Sequence, residues 1–232
     1  MQIPFNLIKA GVGVVAAAGV AIAALVVKPH IVRAARKVNK LWAGKRVAIL
    51  GRQAVGKTTL LSLLMGEDMS ESRKTTVDPT TGGTFEFQIG KKTVRFRVRH
   101  DQPGWAPENS YKGWNEEFGD ADFVLYLFRA DLIARGDRGT VALVEQDLNQ
   151  FKSWLSRTGA GVPAPKIILV GTWADQSPDF ARDAAKFTSR IRKARPIKLG
   201  AVKLNKADLV VGSLSAEEHS AKLIASLGEY VR

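Results

Sequence analysis

The sequence predicts an α/β fold, a mainly parallel six-stranded sheet with helices on both faces, preceded by one N-terminal helix apolar enough to cross a membrane. Three observations carry that expectation. From Arg46 to the C-terminus, apolar runs of strand length alternate with helical stretches. Two of those runs, FVLYLF at 123–128 and KIILV at 166–170, hold almost no charge and suit strands covered on both faces. Near the N-terminus, Ala10–Val27 is an uncharged run of 18 residues.

The 232 residues, 45% of them hydrophobic, suffice for one sizeable core plus an appendage. The absence of cysteine excludes disulfides, thiolate metal sites and cysteine nucleophiles, and His30, His100 and His219 are too scattered to suggest an all-histidine metal site. The net charge of +13 sits in two blocks, residues 1–46 and 181–206, while the rest of the chain is net acidic. In the second block only Phe180 and Phe187 lie near the basic residues, too few for base stacking, so no specific nucleic acid is expected. A solvated helix face, a phosphoinositide surface and an acidic partner remain open for that block.

The N-terminal run is read as a transmembrane helix over about residues 5–27 within a segment 1–28, with Lys9 snorkelling to the interface. A buried core helix and a cleaved signal peptide processed near Ala21-Ile22-Ala23 are the alternatives. Lys28, Arg33, Arg36, Lys37 and Lys40 follow the run, so the expected topology is a single-pass membrane protein with its soluble domain on the cytoplasmic side. Residues 29–45 read as a basic amphipathic juxtamembrane segment, with Ile31, Ala34, Ala35, Val38, Leu41 and Trp42 on one face. Anionic lipid at residues 28–46 and a solvated connector are both open readings of it.

The soluble domain, residues 46–232, begins with a strand at Val47–Leu50, a glycine loop and a helix to Met65. Strands at Phe85–Ile89 and Val94–Arg99 pair about a turn at Gly90-Lys91-Lys92, followed by a strand at Phe123–Phe128 and a helix through Leu143–Leu155. A strand at Lys166–Val170, a helix from Pro178, a strand at Leu209–Val211 and a helix from Ala216 complete the order.

Between the first strand and first helix, GRQAVGKT (Gly51, Arg52, Gln53, Ala54, Val55, Gly56, Lys57, Thr58), followed by Thr59, matches the phosphate-binding G-x4-G-K-[ST] in the strand–loop–helix setting that it requires. Glycines let the loop wrap a phosphate so that backbone N–H groups and the helix N-terminus meet the anion. Lys57 would neutralise the β- and γ-phosphates, and the Thr58 hydroxyl would ligate Mg²⁺. Farther on, Asp101 and Gly104 form a D-x-x-G at the end of a strand: a carboxylate reaching Mg²⁺ through water, and a glycine N–H for the γ-phosphate. Thr80 stands where a threonine can close over Mg²⁺ and the γ-phosphate, with Thr75, Thr76 and Thr81 as competitors. Lys57, Thr80 and Gly104 are thus the candidate catalytic residues, and Thr58, Thr80 and Asp101 the candidate metal residues.

With GRQAVGKT, the PT-x-G of Pro79–Gly82 and DQPG at 101–104 in place, the chain resembles a small GTPase of the Ras-like superclass. The likeness is nearest to the Arf group and to the membrane-anchored β subunit of the signal-recognition-particle receptor, and it covers most of Arg46–Arg232. It implies a P-loop NTPase G domain that binds GTP and GDP with Mg²⁺, hydrolyses GTP to GDP and phosphate, and meets a protein effector or GTPase activator. The TWAD of residues 172–175 sits where the family carries its base motif, usually N-K-x-D. The resemblance therefore implies that Asp175 accepts from the guanine, that Thr172 replaces part of the usual asparagine's bonding, and that Trp173 covers the purine. Ser213 and Leu214 match the last base-contact motif. Where many relatives carry a water-orienting glutamine this sequence has Trp105, with no side-chain carbonyl, so hydrolysis is expected to be slow without a partner. Arg52, Gln53, Gln102 and Arg129 are candidates to compensate. A nucleotide-binding scaffold that scarcely hydrolyses, and a P-loop ATPase, are the alternative functions.

Overall fold

A computed structural model describes residues 29–65, 74–75, 82–89, 91–99, 107–157 and 163–230. The transmembrane segment expected over residues 5–27 lies outside them; among the described residues no helix is long and apolar enough to cross a membrane.

Helix α1 (Pro29–Leu41) leads into β1 (Arg46–Gly51), then α2 (Lys57–Met65), β2 (Lys74–Thr75), β3 (Gly82–Ile89), β4 (Lys92–Arg99) and α3 (Pro107–Asp120). The second half runs β5 (Phe123–Arg129), α4 (Ala130–Arg135), α5 (Arg138–Arg157), β6 (Lys166–Thr172), a 3-10 turn (Ala174–Gln176), α6 (Pro178–Arg182), α7 (Ala184–Lys193), α8 (Arg195–Lys203), β7 (Asp208–Val211) and α9 (Glu217–Glu229).

Among the described residues the sheet has seven strands in the order β2-β3-β4-β1-β5-β6-β7, against the six expected. The additional strand is the two-residue β2, antiparallel to β3 through Lys74 opposite Glu86 and Thr75 opposite Phe85. So short an element has no period for a sequence to display. The β3–β4 hairpin is antiparallel, with Ile89 opposite Lys92, while β4, β1, β5, β6 and β7 run parallel. In the central parallel strands the side chains alternate between two apolar layers. Val47, Ile49, Leu125, Leu127, Ile168 and Val170 enter the layer under α1, α2 and α9. Ala48, Leu50, Val124, Tyr126, Ile167 and Leu169 enter the layer under α3, α5, α7 and α8. Burial on both faces explains why these strands are nearly free of charge.

Helix α1 forms where the amphipathic segment was expected, but its apolar face is occupied by the domain. Ile31, Ala35, Val38 and Trp42, the last just beyond the helix, recur at helical spacing and belong to the same core layer as Leu60 and Leu64 of α2 and Leu223, Ile224 and Leu227 of α9. Trp42 is fully buried edge-on against Phe96 at 5.7 Å between ring centroids. The buried Asn39 amide donates at 2.7 Å to the Leu64 carbonyl, one of the acceptors that the last turn of α2 leaves unpaired. Among the described residues the packed domain thus includes α1 as well as the chain from residue 46, and the face that could have entered lipid is spent on protein.

Candidate functional site

The loop from Arg52 to Gly56 carries the chain from β1, in the middle of the sheet, into α2. Its backbone accounts for its glycines. At Gly51 φ is 146°, and a Cβ there would lie 2.5 Å from the Leu127 carbonyl oxygen on β5. At Gly56 φ is 94°, the left-handed side that side chains resist. Ala54 also adopts a positive φ, 60°, at a cost of about 1–2 kcal/mol for a residue bearing a Cβ.

Lys57, the first residue of α2, is buried. Its ammonium donates to the carbonyl oxygens of Gly51 and Arg52, the second at 2.9 Å. The cation is thereby held against the loop, at the helix end where the backbone dipoles already favour an anion.

The second half of the site comes from the end of β6 and the loop after β7. The Thr172 hydroxyl, fully buried, lies 2.7 Å from the Val55 carbonyl oxygen and 3.1 Å from that of Phe128. Having one proton, it donates chiefly to the nearer, so Thr172 ties the base-side strand to the phosphate loop. Trp173 takes φ 58°, and its indole N–H donates at 3.0 Å to the carbonyl of Ala54, the residue before Val55 in the same loop. These two bonds fix the separation between the loop and the turn that presents Asp175.

Asp175 follows in the 3-10 turn, where Oδ2 accepts from Ser215 Oγ at 2.9 Å and from the Gln176 amide at 3.0 Å. Ser213, fully buried, lies 2.8 Å from Ser215 through their hydroxyls and accepts from the Ser215 backbone N–H. Partial burial pushes the Asp175 carboxyl up, but hydrogen bonds from Ser213, Gln176, Ser215 and its own backbone N–H outweigh it and hold it below its ordinary value. Gly56, Thr59, Thr172, Trp173, Asp175, Leu214 and Ser215 line one cleft of about 160 Å³ that joins the phosphate loop to this ionised carboxylate.

A cation backs the aromatic wall. Arg129, at the end of β5, places its guanidinium 4.4 Å from the centre of the Trp173 ring. It is held there by the buried Asp131, which accepts from Arg129 at 2.8 and 2.7 Å and from Arg135 at 2.9 Å. Burial alone would raise the Asp131 carboxyl, but the two guanidiniums keep it below its ordinary value. Arg52, by contrast, is bonded to Asp147 of α5 and Tyr111 of α3.

The structure therefore brings together the loop residues Gly51 to Thr59 with Thr172, Trp173, Asp175, Ser213 and Leu214. Thr80, Asp101 and Gly104, together with Gln102 and Trp105, lie outside the described residues. Sequence reasoning missed Ser215, whose one signal is its place two residues after Ser213. It also missed the bond partners of Arg52 and Arg129, which have no local pattern.

The family model described as "50S ribosome-binding GTPase" matches residues 46–170, more than half of the chain. No curated protein matches. Among solved structures, the ADP-ribosylation factor-like GTP-binding protein SAR1, a small COPII coat GTPase of Encephalitozoon cuniculi in complex with GDP, superposes with a TM-score of 0.57 at 13% identity, over 87% of this chain and 86% of that one. Toc33 from Arabidopsis thaliana, a dimerization-deficient variant, gives 0.56 at 17% identity over 87% and 90%. A GTP-binding protein from the archaeon Sulfolobus solfataricus in complex with GDP gives 0.52 at 13% identity over 84% of this chain and 55% of that one. The phosphate loop, the ionised carboxylate across the cleft and the matched family model lead to one assignment: the chain belongs to the 50S ribosome-binding GTPase family and carries a P-loop G domain with the fold of Arf-like small GTPases.

Proposed function

We propose that this chain is a membrane-held guanine-nucleotide switch that hydrolyses GTP slowly to GDP and phosphate. The observation that carries this reading is the bracing of both ends of the cleft by Thr172 and Trp173, which set the phosphate loop and Asp175 at a fixed spacing. Asp175, ionised and already oriented by Ser215 and Gln176, is suited to accept from the N1–H and N2–H₂ of guanine. Adenine offers no such pair of donors, which disfavours the ATPase reading. Thr172 acts here as a positioning residue, because its hydroxyl is committed to the loop carbonyl.

Lys57 and the positive-φ glycines fit a polyphosphate, since the loop needs the backbone turns at Gly51 and Gly56, where a Cβ would meet Leu127 and Leu214, to wrap its N–H groups about an anion. Thr58, with Thr80 and, through water, Asp101, would hold Mg²⁺, which supplies charge neutralisation on the β- and γ-phosphate oxygens. Lys57 adds its own positive charge there, and Trp173 covers the purine with Arg129 against its ring. Slow turnover follows from two features. Trp105 offers no carbonyl to orient water, and the guanidinium of Arg52 is engaged by Asp147 rather than available to developing charge on the phosphate. The second feature also supports the alternative of a nucleotide-binding subunit that scarcely hydrolyses.

Membrane attachment rests on the apolar run at residues 5–27 and the basic residues behind it. Because α1, from Pro29, is packed into the domain, a span ending at Val27 would hold the G domain directly at the bilayer. Carbonate washing and detergent extraction of the full-length chain, followed by single-turnover GTP hydrolysis of the extracted protein, test both halves of the proposal. Resistance to carbonate and a measurable but slow single turnover are expected. Release by carbonate would remove the span, and no hydrolysis at all would favour the scaffold.

A further inference from the structure

A fully buried carboxylate sits behind the phosphate loop, outside the nucleotide cleft. Asp147 lies on α5, and each of its oxygens accepts from two donors. Oδ2 accepts from Arg52 Nε at 3.1 Å and Tyr126 Oη at 2.7 Å. Oδ1 accepts from the second Arg52 nitrogen and from Tyr111 Oη at 2.7 Å. The Tyr111 hydroxyl in turn accepts from that Arg52 nitrogen at 2.7 Å. The guanidinium also lies over the rings of Tyr111 and Trp114 on α3, at 5.1 and 5.3 Å from their centres. Burial and the neighbouring carboxylate push both phenols up, so they remain donors across the neutral range.

We propose that Arg52 is a positioning residue that locks the phosphate loop to α3 through Asp147 and Tyr111, so that nucleotide hold and the placement of α3 are coupled. Arg52 is the first residue of the loop after β1, and its backbone carbonyl accepts from Lys57. Helix α3 begins three residues after Gly104 in the sequence, hence directly after the D-x-x-G that the γ-phosphate would engage. A displacement of α3 would strip Tyr111 from Asp147 and loosen Arg52, and with it the backbone that holds Lys57. The reverse move, Arg52 swinging out to a phosphate, would leave a buried carboxylate without its cation, among the most costly losses a fold can suffer. Tyr126, on the central strand β5, holds the carboxylate from the sheet side and makes it a fixed anchor rather than a moving part.

The inference rests on the GTPase reading for its nucleotide consequence but not for the mechanical link, and the experiment separates them. In the full-length chain, Tyr111→Phe removes the hydroxyl and keeps the ring over Arg52, and Arg52→Met removes the cation and keeps the length. Amide hydrogen exchange across residues 51–57 is followed without nucleotide, and release of labelled GDP and of a non-hydrolysable GTP analogue is timed. Tyr111→Phe should speed loop exchange and nucleotide release about tenfold or more, the loss of the two hydrogen bonds that its hydroxyl makes with Asp147 and Arg52. It should also narrow the difference between the two nucleotides, a readout that a general loss of stability would not move. The double variant should be no worse than Arg52→Met alone, because both act through one link. Wild-type loop exchange in Tyr111→Phe would overturn the proposal, as would Arg52→Met slowing hydrolysis with release unchanged. If the wild-type chain bound no guanine nucleotide, the GTPase reading would fall, and loop exchange alone would still decide the link.

Discussion

The indole N–H of Trp173 donates at 3.0 Å to the carbonyl oxygen of Ala54, so the residue where relatives place a lysine stem is bonded to the phosphate loop itself. Both partners sit at positive φ, 58° and 60°. Two strained residues joined by one bond mark a place where local stability is spent on geometry.

Trp173→Phe keeps an aromatic surface for the purine but loses the donor. Nucleotide release should accelerate about fivefold, as for one neutral hydrogen bond, with thermal unfolding of the ligand-free protein nearly unchanged. Stopped-flow release of a fluorescent GDP measures it. An unchanged rate would show that the bond does not brace the loop.

Asp175→Asn replaces a two-oxygen acceptor by an amide that still satisfies Ser215. Guanine affinity should fall by about a hundredfold or more, and preference should shift toward xanthine, because a site built for particular hydrogen bonds rejects a base that leaves them unpaired. Competition between GTP and XTP reads the shift. Equal preference before and after the substitution would remove Asp175 from the base site.

Asp131 makes the site sensitive to acid. Its folded-state pKa is depressed by Arg129 and Arg135, so its contribution is complete above the ordinary carboxylate range and is lost as pH falls through the lower folded value. Asp131→Asn should cost about 2 kcal/mol near neutrality, for charge-assisted bonds to two arginines, and the gap from wild type should close below about pH 4. Urea denaturation at pH 7, 5 and 3.5 follows this window. A gap that widened toward acid would contradict the sign.

Helix α1 is expected to be indispensable to the domain. Trp42→Ala should destabilise by about 3–5 kcal/mol, the cost of emptying a fully buried aromatic site. A fragment starting at residue 29 should retain cooperative unfolding, whereas one starting at residue 46 should lose it. Cooperative unfolding of the shorter fragment would return α1 to the status of a connector.

The phosphate loop was legible because its backbone demands glycine at fixed places between a strand and a helix, and a local demand leaves a local pattern. The parallel strands were legible for a related reason, since burial on two faces removes charge from an entire run. Helix α1 was legible as a helix but not in its destination: the stripe Ile31, Ala35, Val38, Trp42 is the same whether it meets lipid or α9. Helix α3 escaped notice although Tyr111, Trp114 and Phe118 recur at helical spacing, because Gly113 and Gly119 weaken its propensity. The bond between Arg52 and Asp147 spans 95 positions and depends on how α5 packs, so no window of sequence could reveal it.

The most direct test of a guanine-nucleotide site braced between Lys57 and Asp175 is titration of the full-length chain with labelled GTP, GDP and ATP, with and without Mg²⁺, beside Lys57→Ala. The account predicts tight binding of both guanine nucleotides, a Mg²⁺ requirement for GTP, weak ATP binding, and loss of all of it in the variant. Preference for ATP, or binding that survives Lys57→Ala, would contradict it.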